Sequence, residues 1–246
     1  GGAGGEAEAG GLAAAGGDLP MLADVSADGH GHGAVQTAIA AVSGGATWLA
    51  VSSVADAVPL REAGIRLPIL ASLDPDSDSS AAAALGVVLR GSSSGVPSLF
   101  EPGVALYGLG SISAAPDLVP VMRVSARVLV TKSIERGDGV SYGCTFRAPK
   151  RMNLAMVAIG YADGLDRRAG NVASMLLDGR QRAIVGRVAM NAAVLDLGDD
   201  RAVVGDDAVL FGGPGGPSVH DLADALDVGM DEIVTVFGRS LPRSYR

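Results

Sequence analysis

The sequence predicts an α/β layer followed by an antiparallel β domain, and three observations carry that prediction. From Pro20 onward, short apolar runs alternate with stretches of helical spacing, joined by brief connections, which is the layout of right-handed parallel βαβαβ units. After Pro120 the period changes to two, and short alternating runs follow one another with turn residues between them. The 246 residues, 48% of them hydrophobic, can bury one large core or two modest ones.

The elements read in order as follows. Gly1 to Gly17 has almost no large side chains and no periodicity, so it reads as a flexible tail that starts without a signal-peptide pattern. Pro20 to Val25 is a short buried strand ended by Asp28-Gly29-His30-Gly31-His32-Gly33. Ala34 to Val42 carries small apolar residues at helical spacing and stops at Gly44-Gly45. Trp48 to Ser52 is a strand, Val54 to Glu62 a helix with Gly64 past its end, and Leu67 to Leu73 a third strand. An acidic, serine-rich turn from Asp74 to Ser80 leads into the alanine run Ala81 to Ala84. Leu85 to Leu89 and Val104 to Tyr107 are further strand candidates, on either side of the Ser92-Ser93-Ser94 loop.

In the second half, Val121 to Lys132, Met152 to Ile159, Ser174 to Asp178, Ala183 to Val188, Ala192 to Leu197 and Asp207 to Phe211 read as strands. Asp178-Gly179 is a strong two-residue hairpin signal. Val219 to Leu226 reads as a helix and Glu232 to Phe237 as a last strand. The resulting division is a tail over 1–17, a partial barrel-like α/β domain over 18–115 and a β domain over 116–246.

Composition narrows the function. The formal charge of −8, with Lys132 and Lys150 the only lysines, argues against nucleic acid or an anionic membrane surface as partner. No apolar run approaches the roughly 18–20 residues that a membrane helix needs. A single cysteine, Cys144, excludes an internal disulfide framework and fits a reducing, cytoplasmic compartment. Gly212-Gly213-Pro214-Gly215-Gly216-Pro217 lacks the Gly-Lys-Ser/Thr ending of a phosphate loop and reads as a plain turn. Asp28-x-His30-x-His32 has the spacing of metal ligands at a strand end, which could open a metal-dependent hydrolase. Such a site needs three or four ligands, and the remaining histidine, His220, lies in the β part.

Val25-Ser26-Ala27-Asp28-Gly29-His30-Gly31-His32-Gly33-Ala34 resembles the cofactor segment of the alanine racemase family. The resemblance continues through Leu60 to Ile65, Pro68 to Ala71 and Pro102 to Leu109. It resumes over Gly139 to Gly143, Ile159 to Gly164, Val185 to Met190 and the terminal Arg239 to Tyr245. It implies a two-domain homodimer whose barrel binds pyridoxal phosphate (PLP) as a Schiff base on a lysine. It also implies that the β domain supplies a tyrosine for proton transfer between L-alanine and D-alanine, a peptidoglycan precursor. On this resemblance Tyr142 is the tyrosine base, and an unperturbed phenol, with a pKa near 10, needs a neighbour to lower it. Gly103, Val104 and Ser92 match phosphate-binding positions, Met190 a substrate-side methionine, and Tyr161 and Arg187 the entrance channel.

The departures fall on the same segments. Ser26 stands at the lysine position, His30 at a phosphate-binding tyrosine, Glu101 at the arginine that faces the ring nitrogen, and Asn191 at an aspartate. The resemblance also implies that a stretch with the middle barrel strands is missing between Leu73 and Leu89, and since a closed eight-stranded barrel takes about 250 residues, this one cannot close in the ordinary way. The expected product is a family member impaired or inactive in racemisation, with exposed strand edges that an oligomer would cover. A non-catalytic dimerisation or interaction protein built on the same fold is the other reading.

Overall fold

A computed structural model of the chain describes residues 11–72, 79–91, 96–110 and 119–245. Two compact units emerge, residues 1–121 with 242–246 and residues 122–241. Residues 119–121 and 242–245, assigned to the β domain from sequence, therefore pack with the first unit.

In the first unit, β1 (Leu22–Asp24), β2 (Trp48–Val51), β3 (Ile69–Ala71) and β4 (Val87–Leu89) form a parallel sheet in that order. The connections carry α1 (Ala34–Ser43), α2 (Ala57–Glu62) and α3 (Ser79–Leu85). Leu73, expected to end the third strand, lies outside the described residues. Pro59 sits in the first turn of α2, where its missing N–H costs no helical bond. Arg61 donates to the carbonyls of Leu85, Ile65 and Leu67 at 2.8–3.0 Å, tying the approach to β3 to the approach to β4.

The edges of this partial barrel are partly covered from within the chain. Met21 bridges Phe100 in parallel; Leu22 N–H donates to the Phe100 carbonyl and Phe100 N–H to Pro20, both at 2.9 Å. The outer edge of β1 is thus occupied. Arg90, directly after β4, pairs with Glu101, directly after Phe100, at 3.6 Å. Val88 and Leu99 pack against one cluster with Leu22, Trp48, Ala50 and Leu70. The sheet has curled until its two margins meet at their C-terminal ends, a contracted and nearly closed barrel with a side-chain-filled interior. Ala23, Leu49, Val51, Ile69 and Ala71 are buried on the opposite face, as are Ala38, Ala41, Ala57 and Leu60 of the helices.

Two further expectations change here. Residues 11–15, read as tail, form a helical turn with Leu12 fully buried, and Gly16 lies so close to the Phe100 ring that a Cβ would collide with it. Val104 to Tyr107, read as a strand, belongs to a 3-10 turn over Gly103–Tyr107, started by Pro102 and ended by Gly108 in the left-handed region.

The second unit is an antiparallel sheet of β5 (Val124–Ile134), β8 (Met152–Val157), β9 (Ser174–Leu177), β10 (Arg180–Ala183), β11 (Ala193–Gly198) and β12 (Asp207–Phe211). Their order is β10-β9-β12-β5-β8-β11. Ile184, just after β10, bridges Leu195 in β11, and Val185 N–H donates to the Val194 carbonyl at 2.8 Å, so the sheet closes on itself. Val157, Met175, Leu195 and Phe211 are fully buried. The Asp178-Gly179 turn joins β9 to β10 with both residues at positive φ, as the sequence predicts. The strand expected over Ala183 to Val188 lies instead at Arg180–Ala183, because Gly186 takes φ +74° and breaks the pairing.

A short hairpin of β6 (Gly139–Val140) and β7 (Phe146–Arg147) carries Tyr142 in its loop. Val140 anchors the hairpin in a cluster with Ile134, Ala148, Met152, Leu154 and Val185. Two helices finish the unit, α4 (Val219–Leu226) and α5 (Met230–Ser240). Ser218 and Asp221 cap α4 reciprocally. The strand expected at Glu232 to Phe237 is a helix. Its β-branched run suggests strand, but Ile233, Val234 and Phe237 bury at helical spacing, with Phe237 edge-on to Phe211 at 5.7 Å. Asp231 and Glu232 in the first turn and Arg239 in the last complement the helix dipole.

Candidate functional site

The first group of candidate residues sits where β1 ends. Asp24 Oδ1 accepts from Ser26 N–H at 2.9 Å. Beyond Ser26 the backbone turns left-handed, with Ala27 at φ 51°, Asp28 at 57°, Gly29 at 62° and His30 at 47°. Such a conformation costs a non-glycine residue about 1–2 kcal/mol, so tertiary contacts must hold it. Asp28 supplies part of the hold, since its Oδ1 accepts from Ala34 N–H at 2.9 Å at the start of α1.

His32 Nδ1 lies 3.1 Å from the carbonyls of Gly29 and His30 and is the protonated nitrogen, donating to both. Burial, partly offset by those two carbonyls, brings its pKa down to about 4, so the ring is neutral near pH 7. Tyr107 stacks on both imidazoles, 4.8 Å from His30 and 4.7 Å from His32. Its hydroxyl donates to the Asp24 carbonyl at 2.6 Å, and burial, then the nearby Asp24 and Asp28, raises its pKa well above 10. Among the described residues no partner reaches His30 Nδ1 or His32 Nε2, although both atoms are buried.

Gly103 and Val104 open the 3-10 turn, both exposed, and a Cβ on Gly103 would meet nothing within 4 Å. Glu101 is half-exposed, its charge paired by Arg90. Ser92 lies outside the described residues. The Asp28, His30, His32 metal reading is corrected: among the described residues no cluster of three or more metal-ligand side chains occurs. The Asp28 carboxylate is taken by Ala34 and by an ion pair with Arg243.

The second unit gathers the remaining candidates on one set of loops. Tyr142 is 70% exposed, and Ser141 Oγ next to it donates to the Arg187 carbonyl at 2.7 Å. The Arg187 guanidinium lies against Gly143. The same 187–190 loop reaches Tyr161: Tyr161 N–H donates to Ala189 at 3.0 Å and Ala162 N–H to Met190 at 2.9 Å. Gly160 is required there, because a Cβ would collide with the carbonyl oxygens of Ala189 and Met190. Tyr161 is part of a 3-10 turn, with Arg167 5.4 Å over its ring. Met190 is 55% exposed. Tyr142, Tyr161, Arg187 and Met190 are therefore one exposed cluster, while Ser26, His30, Glu101, Gly103 and Val104 belong to the first unit.

Sequence reasoning missed Tyr107, Arg90 and Arg243. Tyr107 had a signal, since it stands inside the Pro102 to Leu109 motif. Arg243 stands inside the terminal Arg239 to Tyr245 motif, but nothing local points to its partner Asp28, 215 residues away.

Pyridoxal phosphate does not fit this arrangement as a covalently held group. Ser26 offers a hydroxyl where an amine is required, and neither lysine lies in the first unit. Lys150 is engaged by Asp199 at 2.7 Å, a hydrogen bond that raises its pKa and keeps the amine protonated. Lys132 is an exposed residue of β5.

Comparison with known proteins places these observations in a lineage. The family model described as alanine racemase, C-terminal domain matches residues 121–245, and that for the N-terminal domain matches residues 13–95. The chain is 32% identical to the alanine racemase of Thermobifida fusca over 340 aligned positions, covering 92% of this chain and 91% of that relative. Since 92% of 246 residues fills only about two thirds of those positions, a long internal stretch of the relative has no counterpart here. The match to the alanine racemase of Salinispora arenicola is 45% identical over 151 residues, 60% of this chain and 41% of that relative. Among solved structures, alanine racemase from Streptomyces coelicolor A3(2) gives a TM-score of 0.86 at 27% identity, covering 99% of this chain and 96% of that one. That from a D-cycloserine-producing Streptomyces lavendulae gives 0.87 at 25% identity, covering 98% and 94%.

Proposed function

Because the chain belongs to the alanine racemase family, we propose that it is a member of that family that has lost alanine racemase activity and keeps the fold and association surface. The observation that carries the reading is Ser26 in a unit without a lysine. A hydroxyl cannot form a Schiff base with the family's cofactor, and it has no useful basicity near neutral pH for taking a proton from a substrate carbon. Tyr142, the proposed base, can serve only one face of a substrate, and losing one acid–base group alone costs about 10²–10⁴-fold. Glu101, where the family has an arginine, has its charge balanced by Arg90 rather than by a ring nitrogen. Gly103, Val104 and Ser92 are the proposed phosphate contacts for PLP bound without a covalent link, and Met190, Tyr161 and Arg187 the proposed substrate side.

The same cluster supports a second role as an interaction module. Tyr142, Tyr161 and Met190 leave apolar surface exposed on the second unit, and homodimerisation through it is the proposed association. Among the described residues no helix is long and apolar enough to cross a membrane.

The test is D-alanine formation from L-alanine by the purified chain with added PLP. The expected rate equals that of PLP without protein. A rate proportional to protein concentration would refute the loss of activity, and a monomer at high concentration in sedimentation would refute the association.

A further inference from the structure

Residues 242–245 pack with the first unit, and two of them meet the left-handed turn after β1. Arg243 Nη1 donates to Asp28 Oδ2 and to the Gly31 carbonyl, the latter at 3.1 Å. The Tyr245 hydroxyl fills the space where a Gly33 side chain would begin. Asp28 Oδ1 accepts from Ala34 at the same time, so one carboxylate links the terminal segment, the turn and α1. Inside the turn, His32 N–H and Gly33 N–H donate at 2.8 Å to the carbonyls of Gly29 and Asp28. Ala27, Asp28 and His30, all at positive φ, cannot favour this path by themselves. Part of the hold therefore comes from outside the turn.

We propose that Arg243 is a positioning residue: acting through Asp28, it locks the left-handed turn and so holds His30 and His32 against Tyr107. The proposal needs no bound cofactor and stands whether or not the chain racemises alanine. It extends the site to a segment 215 residues away in sequence from the turn that it secures.

The charged groups that act on His32 are His30 on the same turn and Arg243 from the terminal segment; Tyr107 from the 3-10 turn packs against the ring, and Asp24 and Asp28 act in turn on Tyr107. They give a test with opposed signs. Asp28→Asn keeps an acceptor for Ala34 N–H and tolerates the left-handed region, but it cannot ion-pair with Arg243. Loss of a negative charge alone would depress His32 protonation further, whereas release of the turn would hydrate the ring and raise it. In NMR titrations of the full chain, His32 should titrate near 4 in the native protein. The midpoint should rise by about one unit or more in Asp28→Asn, whereas in Arg243→Met loss of the cation raises it whatever the turn does, so that variant is read by hydrogen exchange. A midpoint that is unchanged or lower in Asp28→Asn would overturn the proposal. Hydrogen exchange at the His32 and Gly33 amides of Arg243→Met keeps it falsifiable if Asp28→Asn does not fold. Exchange should rise about tenfold, and native protection there would equally overturn it.

Discussion

Protonating His32 by lowering the pH from 7 to 4 perturbs the first unit at one buried ring. The unfolded chain takes up this proton with a pKa near 6.5, the folded chain only near 4, because burial disfavours the imidazolium. Between these values the unfolded state binds more protons. The contribution of His32 to stability is therefore complete above pH 6.5, falls as the pH drops through the window and levels off below about 4. The difference in pKa corresponds to about 3 kcal/mol. Asp166, Asp200 and Asp221, lowered by hydrogen bonds from Arg168, Arg182 and Ser218, lie in the second unit and titrate below 3.8. Trp48, the only tryptophan, lies in β2 and reports on the first unit alone. Urea unfolding followed by Trp48 fluorescence should lose about 3 kcal/mol between pH 7 and 4 in the native chain. In His32→Asn, whose amide can still donate to the Gly29 and His30 carbonyls, the loss should be below about 1 kcal/mol. Equal pH dependence in the two proteins would refute the reasoning.

Other perturbations follow from the same contacts. Tyr107→Phe leaves the Asp24 carbonyl without its 2.6 Å donor and should destabilise the first unit by about 1–2 kcal/mol in the same fluorescence assay at pH 7. Gly160→Ala drives a methyl into the Ala189 and Met190 carbonyls and should cost the second unit more than about 3 kcal/mol, read by thermal unfolding in circular dichroism. Ser26→Lys alone should not restore D-alanine formation with added PLP, because Glu101 remains paired to Arg90 and the middle strands of the barrel are missing.

Much of the architecture was legible because it is local. The strand–helix rhythm from β1 to β3, the period-two strands and the Asp178-Gly179 hairpin depend on residues close in sequence. Helix α5 was not legible, since Ile233-Val234-Thr235-Val236 satisfies strand propensity and only burial against Phe211 selects the helix. Closure of the first sheet was hidden for another reason. It depends on the Phe100 bridge and the Arg90–Glu101 pair, whose partners are set by three-dimensional packing. At the site, motif residues identified the loops around Tyr142, Tyr161 and Met190, but the Tyr107 stack and the Arg243 lock are long-range contacts with no periodic signature.

The proposed inactivity follows from the loss of a covalent cofactor link, and borohydride trapping tests that loss directly. The full chain is incubated with increasing PLP, reduced, digested and mapped for pyridoxyl-lysine. The expected result is sparse labelling of Lys132 and Lys150 that does not saturate and does not respond to L-alanine. Saturable, one-to-one labelling of either lysine, blocked by L-alanine, would contradict the account and identify a replacement for the missing amine at position 26.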